Sequence, residues 1–168
     1  MKLYLVQHAN AVSEQADPQR PLTEEGRRDI QKVAAFIKPL KLSIDYLWHS
    51  SKLRAAQTSQ VLANVVRVNK DSGARDGLGP NDDVSAIQDE ILAMGEDIMI
   101  VGHLPFLGKL ASVLLTGSES ANTVAFKNAG ILCLNLPEGN RWQIEWMITP
   151  QLILNPDFLV GDRMKGLK

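Results

Sequence analysis

The sequence predicts a single α/β domain with a mostly parallel central sheet. Short apolar runs of strand length alternate with longer segments whose apolar residues recur at helical spacing. Two further strand-like stretches near the C-terminal end, with turn residues between them, indicate an antiparallel hairpin that closes the sheet. The length of 168 residues is typical of one domain. We therefore expect residues 1–168 to form one domain, with a C-terminal tail from about residue 151.

The first strand and helix are predicted near the N-terminus. Residues 3–6 form a continuous apolar run, as in a strand covered on both faces. After the polar stretch 10–20, a helix is expected within residues 21–40. Thr23 is a candidate N-cap and Pro39 marks the end. The apolar residues of this helix recur on one face: Ile30, Val33, Ala34 and Ile37.

The middle of the chain repeats the alternation. Residues 44–50 are a second strand candidate and residues 50–66 a second helix. The polar, glycine-containing stretch 69–80 is expected to be a loop. Asp82 and Asp83 then lead a third helix with Val84, Ile87 and Ile91 on one face.

The last third contains the remaining elements. Residues 97–103 form a third apolar strand, followed at once by a helix with Pro105 at its start. Residues 130–136 and 141–148 are the arms of the hairpin, and residues 137–140 are its turn. In the second arm the large apolar residues alternate with polar ones or methionine, which predicts that they share one face: Trp142, Ile144, Trp146 and Ile148.

Composition excludes several classes of function. The net charge is −1 and the pI is about 6.3, so a nucleic-acid partner is not expected. No apolar run approaches the ~18 residues of a membrane span, and the N-terminal run is too short for a signal peptide, so we expect a cytoplasmic protein without a membrane partner. Cys133 is the only cysteine and stands in an apolar run, which predicts a buried structural thiol.

Polar residues stand at the carboxyl ends of all three predicted parallel strands. The first strand leads into Gln7 and His8, the second into His49 with Arg54 one helical turn on, and the third into His103. In open α/β sheets ligands bind at this edge, and the helix N-termini there favour anions. The topology therefore predicts that two histidines and an arginine meet at one site.

The residue types favour phosphoryl transfer over metal binding. Histidine serves as nucleophile, acid, base or metal ligand. The histidines are widely spaced, and the only acidic residues in a suitable region are Asp82 and Asp83, so a metal site is not expected. One imidazole can attack phosphorus while the other donors hold the phosphoryl oxygens.

Each of these residues also has a structural interpretation. A histidine at the end of a strand is often structural, and we favour that reading for His49. Arg54 is also compatible with a solvated helix position, and Arg20 with an ordinary loop residue before a proline. Asp82 and Asp83 are better explained as helix-start residues than as catalytic acids.

Four segments resemble the histidine phosphatase superfamily, also called phosphoglycerate-mutase-like. "LYLVQHANA" resembles its Arg-His-Gly-x-Ala signature, and "IVGHLP" is similar to its second histidine motif. "HSSKLRAAQT" resembles its Ser-Pro-x-x-Arg-Ala-x-Gln-Thr segment. The segment "RPLTEEG" and the ending "WMITP" resemble the small SixA-type branch, the phosphohistidine phosphatases. The match runs from residue 3 to about residue 150 in the order of the family.

The resemblance implies a three-layer α/β/α sandwich and a mechanism without metal or cofactor. It assigns His8 as the nucleophile, which forms a phosphohistidine intermediate that water hydrolyses. It assigns Arg54, with Arg20 assisting, to the phosphoryl oxygens, and His103 to the charge that develops on transfer. The implied substrate is phosphohistidine on a phosphorelay or phosphocarrier protein.

Three positions depart from the family pattern. Ala9 replaces a glycine, which fits if the local φ is negative. Ser51 replaces a proline and retains the ability to cap a helix. Gln7 replaces an arginine, so it retains an amide donor for phosphate but loses the charge and the planar fork. We expect this to lower the rate roughly ten- to a hundredfold. Lys52 and Arg20 are the cations placed to compensate.

Two other functions stay open on the same residues. One is a phosphatase of small phosphomonoesters. The other is a phosphoryl-binding module with weak or no turnover, because Gln7 lacks the expected charge. Larger relatives use a carboxylate as general acid, and we assign that role to neither Asp82 nor Asp83.

Overall fold

The computed structural model describes residues 1–138 and 141–154. Its strands are β1 (Lys2–Gln7), β2 (Ser43–His49), β3 (Arg67–Ala74), β4 (Ile98–Gly102), β5 (Ile131–Asn135) and β6 (Gln143–Ile148). Its helices are α1 (Glu24–Ile37), α2 (Leu53–Ala63), α3 (Val84–Met94) and α4 (Phe106–Thr116). Short 3₁₀ turns cover Lys38–Leu40, Glu119–Ala121 and Pro150–Leu152.

The strands form one mixed sheet in the order β3-β2-β4-β1-β5-β6. The pairs β2–β3, β2–β4 and β1–β4 are parallel, whereas β1–β5 and β5–β6 are antiparallel. The predicted mostly parallel sheet with a closing antiparallel hairpin is therefore confirmed. The hairpin turn and the C-terminal tail fall partly outside the described residues.

Helices cover both faces of the sheet. One core cluster joins α1 and α2 to one face, with Tyr4 and Val6 of β1 among its members. The other joins α3 and α4 to the opposite face, with Leu3 and Leu5. Successive residues of a strand point to opposite faces, so a strand buried on both sides must be apolar throughout. This confirms the three-layer α/β/α architecture.

Two of the predicted helix starts are capped by side chains. The Thr23 hydroxyl accepts a hydrogen bond from the Gly26 amide at 2.9 Å, as the sequence predicted. The Asp83 carboxylate accepts one from the Ser85 amide at 2.9 Å, so Asp83 is the N-cap of α3. Capping explains these side chains without a catalytic role.

The predicted loop at residues 69–80 is wrong in its first half, because β3 extends to Ala74. This strand lies at the edge of the sheet and is polar, so it shows neither an apolar run nor alternation. The adjoining aromatic surface of β2 is covered by cations: the Lys70 Nζ lies 5.8 Å from the Tyr46 ring centre, and the Arg75 guanidinium 4.8 Å from that of Trp48.

The prediction that the large apolar residues of β6 and its start share one face is also wrong, because the pairing of β5 with β6 contains an irregularity. Cys133 pairs with Trp146, but the next residue of β5, Leu134, pairs with Ile144. The extra residue reverses the faces. Trp146 therefore packs on the α1–α2 side, Trp142 packs on the α3–α4 side, and Ile144 is half-exposed. Cys133 is buried, as predicted.

Over residues 1–138 and 141–154, no helix has both the length and the apolar character needed to cross a membrane.

Candidate active site

The carboxyl ends of three parallel strands meet at one edge of the sheet. Gln7 of β1 lies opposite Gly102 of β4, and His49 of β2 lies opposite Val101. The pairing continues one residue past β1, because the His8 amide donates to the Gly102 carbonyl at 3.0 Å. The segments that leave these strands therefore stay side by side. His8, Arg54 and His103, which are far apart in the sequence, come together there.

The hydrogen bonds of His8 define which ring nitrogen carries the proton. Its Nδ1 lies 2.7 Å from the Ala9 carbonyl oxygen, which can only accept, so Nδ1 carries the proton. The Nε2 atom then holds the free lone pair. It accepts a hydrogen bond from the Arg54 Nε at 3.2 Å. The imidazole is thus fixed in one tautomer with its unprotonated nitrogen beside a guanidinium.

The backbone around His8 is held by two side chains. The Asn128 amide donates to the His8 carbonyl at 2.9 Å. The Thr58 hydroxyl accepts from the Ala9 amide at 3.0 Å and donates to the Arg54 carbonyl at 2.8 Å, so it ties the end of β1 to α2. Sequence reasoning gave neither residue a role. Thr58 stood in the family-like segment, whereas nothing in the sequence pointed to Asn128.

His103 faces His8 across the site. The two ring centres are 5.0 Å apart at an interplanar angle of 57°. His103 is only 2% exposed. Within residues 1–138 and 141–154, neither of its ring nitrogens has a hydrogen-bond partner, and the same holds for the buried Gln7 Oε1. The two unpaired ring nitrogens of His103, on a ring that faces His8, mark a site that a polar ligand would complete.

Both histidines are neutral at pH 7. Burial is the main cause that lowers the pKa of His8 to about 4, with the nearby Arg54 and Arg20 charges adding to it, although the bond to Ala9 opposes the shift. Burial also lowers the pKa of His103 to about 3, and the charges around it act in the same direction. Desolvation lowers the pKa of Arg54, and Glu14 partly offsets this.

A groove of about 480 Å³ opens at Arg54. Three charged residues line it together with Arg54: Glu14, Arg20 and Lys52. Arg20 has a left-handed backbone with φ of 51°, and its Nε donates to the Val12 carbonyl at 3.1 Å. This bond leaves the two terminal nitrogens of its guanidinium for other contacts.

The remaining sequence candidates make other contacts. The Nδ1 of His49 lies 2.9 Å from the Ser50 carbonyl oxygen. The Asp82 carboxylate accepts from the Gly79 amide at 2.7 Å, and Asp83 caps α3. Ala9 is fully buried and does not adopt a positive φ, which meets the condition expected for an alanine here. Over the described part of the chain, no cluster of three His, Cys, Asp or Glu side chains is arranged to hold a metal ion.

This arrangement is suited to an anionic group bound between the imidazoles and the guanidinium. The free Nε2 of His8 can attack an electrophilic centre, Arg54 can hold peripheral oxygens, and neutral His103 offers one N–H donor. Phosphorus with negatively charged oxygens fits this set of groups.

Comparison with known proteins agrees with this chemistry. Residues 3–78 match the model of the histidine phosphatase superfamily (branch 1), which confirms the predicted resemblance. Phosphohistidine phosphatase SixA of Escherichia coli K12 is 24% identical over 155 residues, covering 89% of this chain and 94% of that protein.

Solved structures share the fold. SixA complexed with tungstate has a TM-score of 0.78 and 24% identity, covering 90% of this chain and 98% of its own. A phosphoserine phosphatase mutant from Entamoeba histolytica has a TM-score of 0.67 and 16% identity, covering 91% of this chain and 99% of its own. The predicted phosphoglycerate-mutase-like fold is thereby confirmed.

Proposed function

Residues 3–78 match the histidine phosphatase superfamily and the chain shares its fold, and on this basis we propose that the protein hydrolyses phosphohistidine on a phosphorelay or phosphocarrier protein. The observation that carries the proposal is the hydrogen bonding of His8. Its Nδ1 is protonated and bound to the Ala9 carbonyl, which leaves Nε2 unprotonated, with its lone pair accepting a hydrogen bond from Arg54. The similarity to a protein named phosphohistidine phosphatase supports the choice of substrate.

The reaction proceeds in two displacements. The Nε2 of His8 attacks phosphorus, and the new P–N bond forms as the P–N bond to the substrate imidazole breaks. The leaving imidazole takes a proton from water and departs as neutral histidine. Water then attacks the phosphoryl group on His8, which releases inorganic phosphate and restores the free Nε2.

Arg54 and His103 stabilise the charge on the phosphoryl oxygens. At rest the Arg54 Nε donates to the nitrogen that must attack, so the guanidinium moves to the phosphoryl oxygens when substrate binds. His103 is neutral, so it contributes one N–H donor from a position where the ring is shielded from water. Arg20 assists from the groove, and the Gln7 amide supplies a neutral donor.

A protein-borne phosphohistidine suits the acid groups available. The imidazole that leaves phosphohistidine can take its proton from water, so it needs no dedicated acid residue. The alkoxide that leaves a phosphate ester does need such an acid in the transition state. The carboxylates of Asp82 and Asp83, which lie in the comparable region of the chain, accept hydrogen bonds from backbone amides. The open groove beside Arg54 leaves space for the chain that carries the phosphohistidine.

The test is to trap the covalent intermediate. The protein is incubated with a histidine-phosphorylated phosphocarrier protein, quenched in alkali, and analysed for phosphate on His8 and for released inorganic phosphate. We expect both, and we expect His8→Ala to abolish them. Binding of the phosphorylated protein without release of phosphate would refute the enzyme and favour the phosphoryl-binding module, a function that the neutral Gln7 keeps open.

A comparison of rates distinguishes phosphohistidine from the alternative substrate class, small phosphomonoesters. The phosphatase of small phosphomonoesters predicts a higher kcat/KM on a simple ester than on the phosphorylated protein. We expect the reverse, because no carboxylic acid lies among the contacts of His8 described above.

A further inference from the structure

Lys52, one of the two cations that the sequence offers to compensate for Gln7, lies on the groove that opens at Arg54. We infer that Lys52 binds the phosphoryl group of the substrate and supplies the positive charge that Gln7 lacks. The inference rests on the proposed function only in taking this site as a phosphoryl site.

The site has few charges of its own for a dianionic phosphoryl group. His8 and His103 are neutral at pH 7, and the side chain of Gln7 is an uncharged amide. Arg54 is the one cation in hydrogen-bond contact with the attacking nitrogen in the described residues. Phosphoryl transfer depends on positive charge held at the phosphoryl oxygens, so further cations are required nearby.

Arg20 supplies part of that charge, but the movement of its side chain is restricted. Its Nε is already bound to the Val12 carbonyl, and its backbone is held in a left-handed conformation. Arg20 also belongs to the set of phosphoryl-binding residues that the family resemblance implies. It is therefore not the additional cation that offsets the change at Gln7.

Lys52 has both the position and the freedom to act. It directly precedes α2, two residues before Arg54, and lines the same groove. Its side chain is exposed, and in the described part of the chain no carboxylate lies within 4.0 Å of its ammonium. A lysine with four flexible methylenes can therefore turn its charge toward a bound anion.

The positive charge of Lys52 acts on the site electrostatically, in addition to lining the groove at Arg54. Its field is one of the causes that lower the pKa of His103, which faces the attacking ring of His8. Glu14 lies on the same groove but acts on Arg54, whose pKa it raises, and it forms no ion pair with Lys52. The Lys52 charge is thus not neutralised within the groove.

The experiment measures the affinity for inorganic phosphate by calorimetry at pH 8, where phosphate is mostly a dianion. Lys52→Met is compared with Lys38→Met, which removes a charge from an exposed position at the far end of α1. Both are made in the native protein and in Gln7→Arg. We expect Lys52→Met to weaken binding about tenfold in the native protein and less than twofold in Gln7→Arg. Lys52→Arg should retain the affinity, and Lys38→Met should have no effect.

Three results would overturn the inference: a loss within twofold in the native protein, equal losses in both backgrounds, or no phosphate binding by the native protein. Because the readout is binding, it is independent of turnover. A protein that binds phosphate through Lys52 but releases none from phosphohistidine would refute the proposed function and leave this inference standing.

Discussion

The reactivity expected of His8 depends on contacts that reach it through the backbone. The ring is oriented by the carbonyl of its own neighbour, Ala9, so the position of that peptide decides where Nε2 points. The amide of the same residue is held by the Thr58 hydroxyl, which also binds the Arg54 carbonyl. Under the proposed function, Thr58 is therefore a positioning residue that links His8 to the cation beside it.

Thr58→Val should break the link between the backbone at His8 and Arg54. The substitution preserves the shape but leaves the buried Ala9 amide unpaired, which costs about 1–3 kcal/mol of unfolding free energy. We expect kcat to fall about tenfold with little change in KM, because the attacking nitrogen is displaced while the groove is intact. Denaturant unfolding and steady-state kinetics measure the two effects.

Thr58→Ser is the matched control, since it retains the hydroxyl and should keep most of both properties. Equal activities of the Val and Ser variants would contradict the positioning role.

At the scale of elements, the start of α1 decides where Arg20 lies. The chain between β1 and α1 is closed by contacts at its two ends: the Thr23 amide donates to the Asn10 carbonyl at 3.0 Å, and Ala11 bridges Leu22. Gly26 in the first turn of α1 packs directly on Asn10. The polar segment thus folds back toward the site instead of extending into solvent.

Gly26→Ala should break this closure. A Cβ at position 26 would lie 2.1 Å from the Asn10 carbonyl oxygen, so the helix and the segment must separate. We expect a loss of about 1–3 kcal/mol of unfolding free energy, and a weaker affinity for phosphate because Arg20 moves with the segment. Chemical denaturation and phosphate titration measure these changes.

Gly73→Ala in β3 is the control, because nothing lies within 4 Å of a Cβ there. If Gly26→Ala were as stable as Gly73→Ala, the close contact with Asn10 would be wrong.

At the scale of the whole molecule, the two site histidines make stability depend on pH. Burial lowers the pKa of His8 to about 4 and that of His103 to about 3, from an ordinary value of 6.5. The unfolded chain therefore binds more protons than the folded one in this range. Their contribution to stability is present in full above about pH 6.5. It is lost progressively as the pH falls from about 6.5 through the folded pKa values of about 4 and 3.

We expect the free energy of unfolding to fall by about 4 kcal/mol between pH 7 and pH 5, with about 2 kcal/mol from each histidine. Urea denaturation at a series of pH values measures it. His103→Gln removes one of the two groups and should flatten the pH dependence. If the free energy of unfolding of this variant fell with pH as steeply as that of the native protein, carboxylates and not the buried histidines would account for the loss of stability at acidic pH.

The sequence by itself determined the layered fold and the identity of the candidate residues. Strands buried on both faces must be apolar throughout, and the helices carry apolar residues at helical spacing, so β1, β2, β4 and the four helices were predictable. Because β1, β2 and β4 are neighbours in the sheet, the segments that follow them had to bring His8, Arg54 and His103 to the same edge. Their catalytic roles stay predictions.

Only the tertiary structure decided features that depend on pairing and register. The edge strand β3 is polar, so its backbone bonds to β2, and not its side chains, define it. The irregularity in β6 depends on its register with β5, and it moves Trp142 and Trp146 to opposite faces. Asn128 meets His8 across 120 positions of the sequence. Local sequence patterns predict on which face of an element a residue is buried. Contacts between distant segments are fixed only when the strands pair.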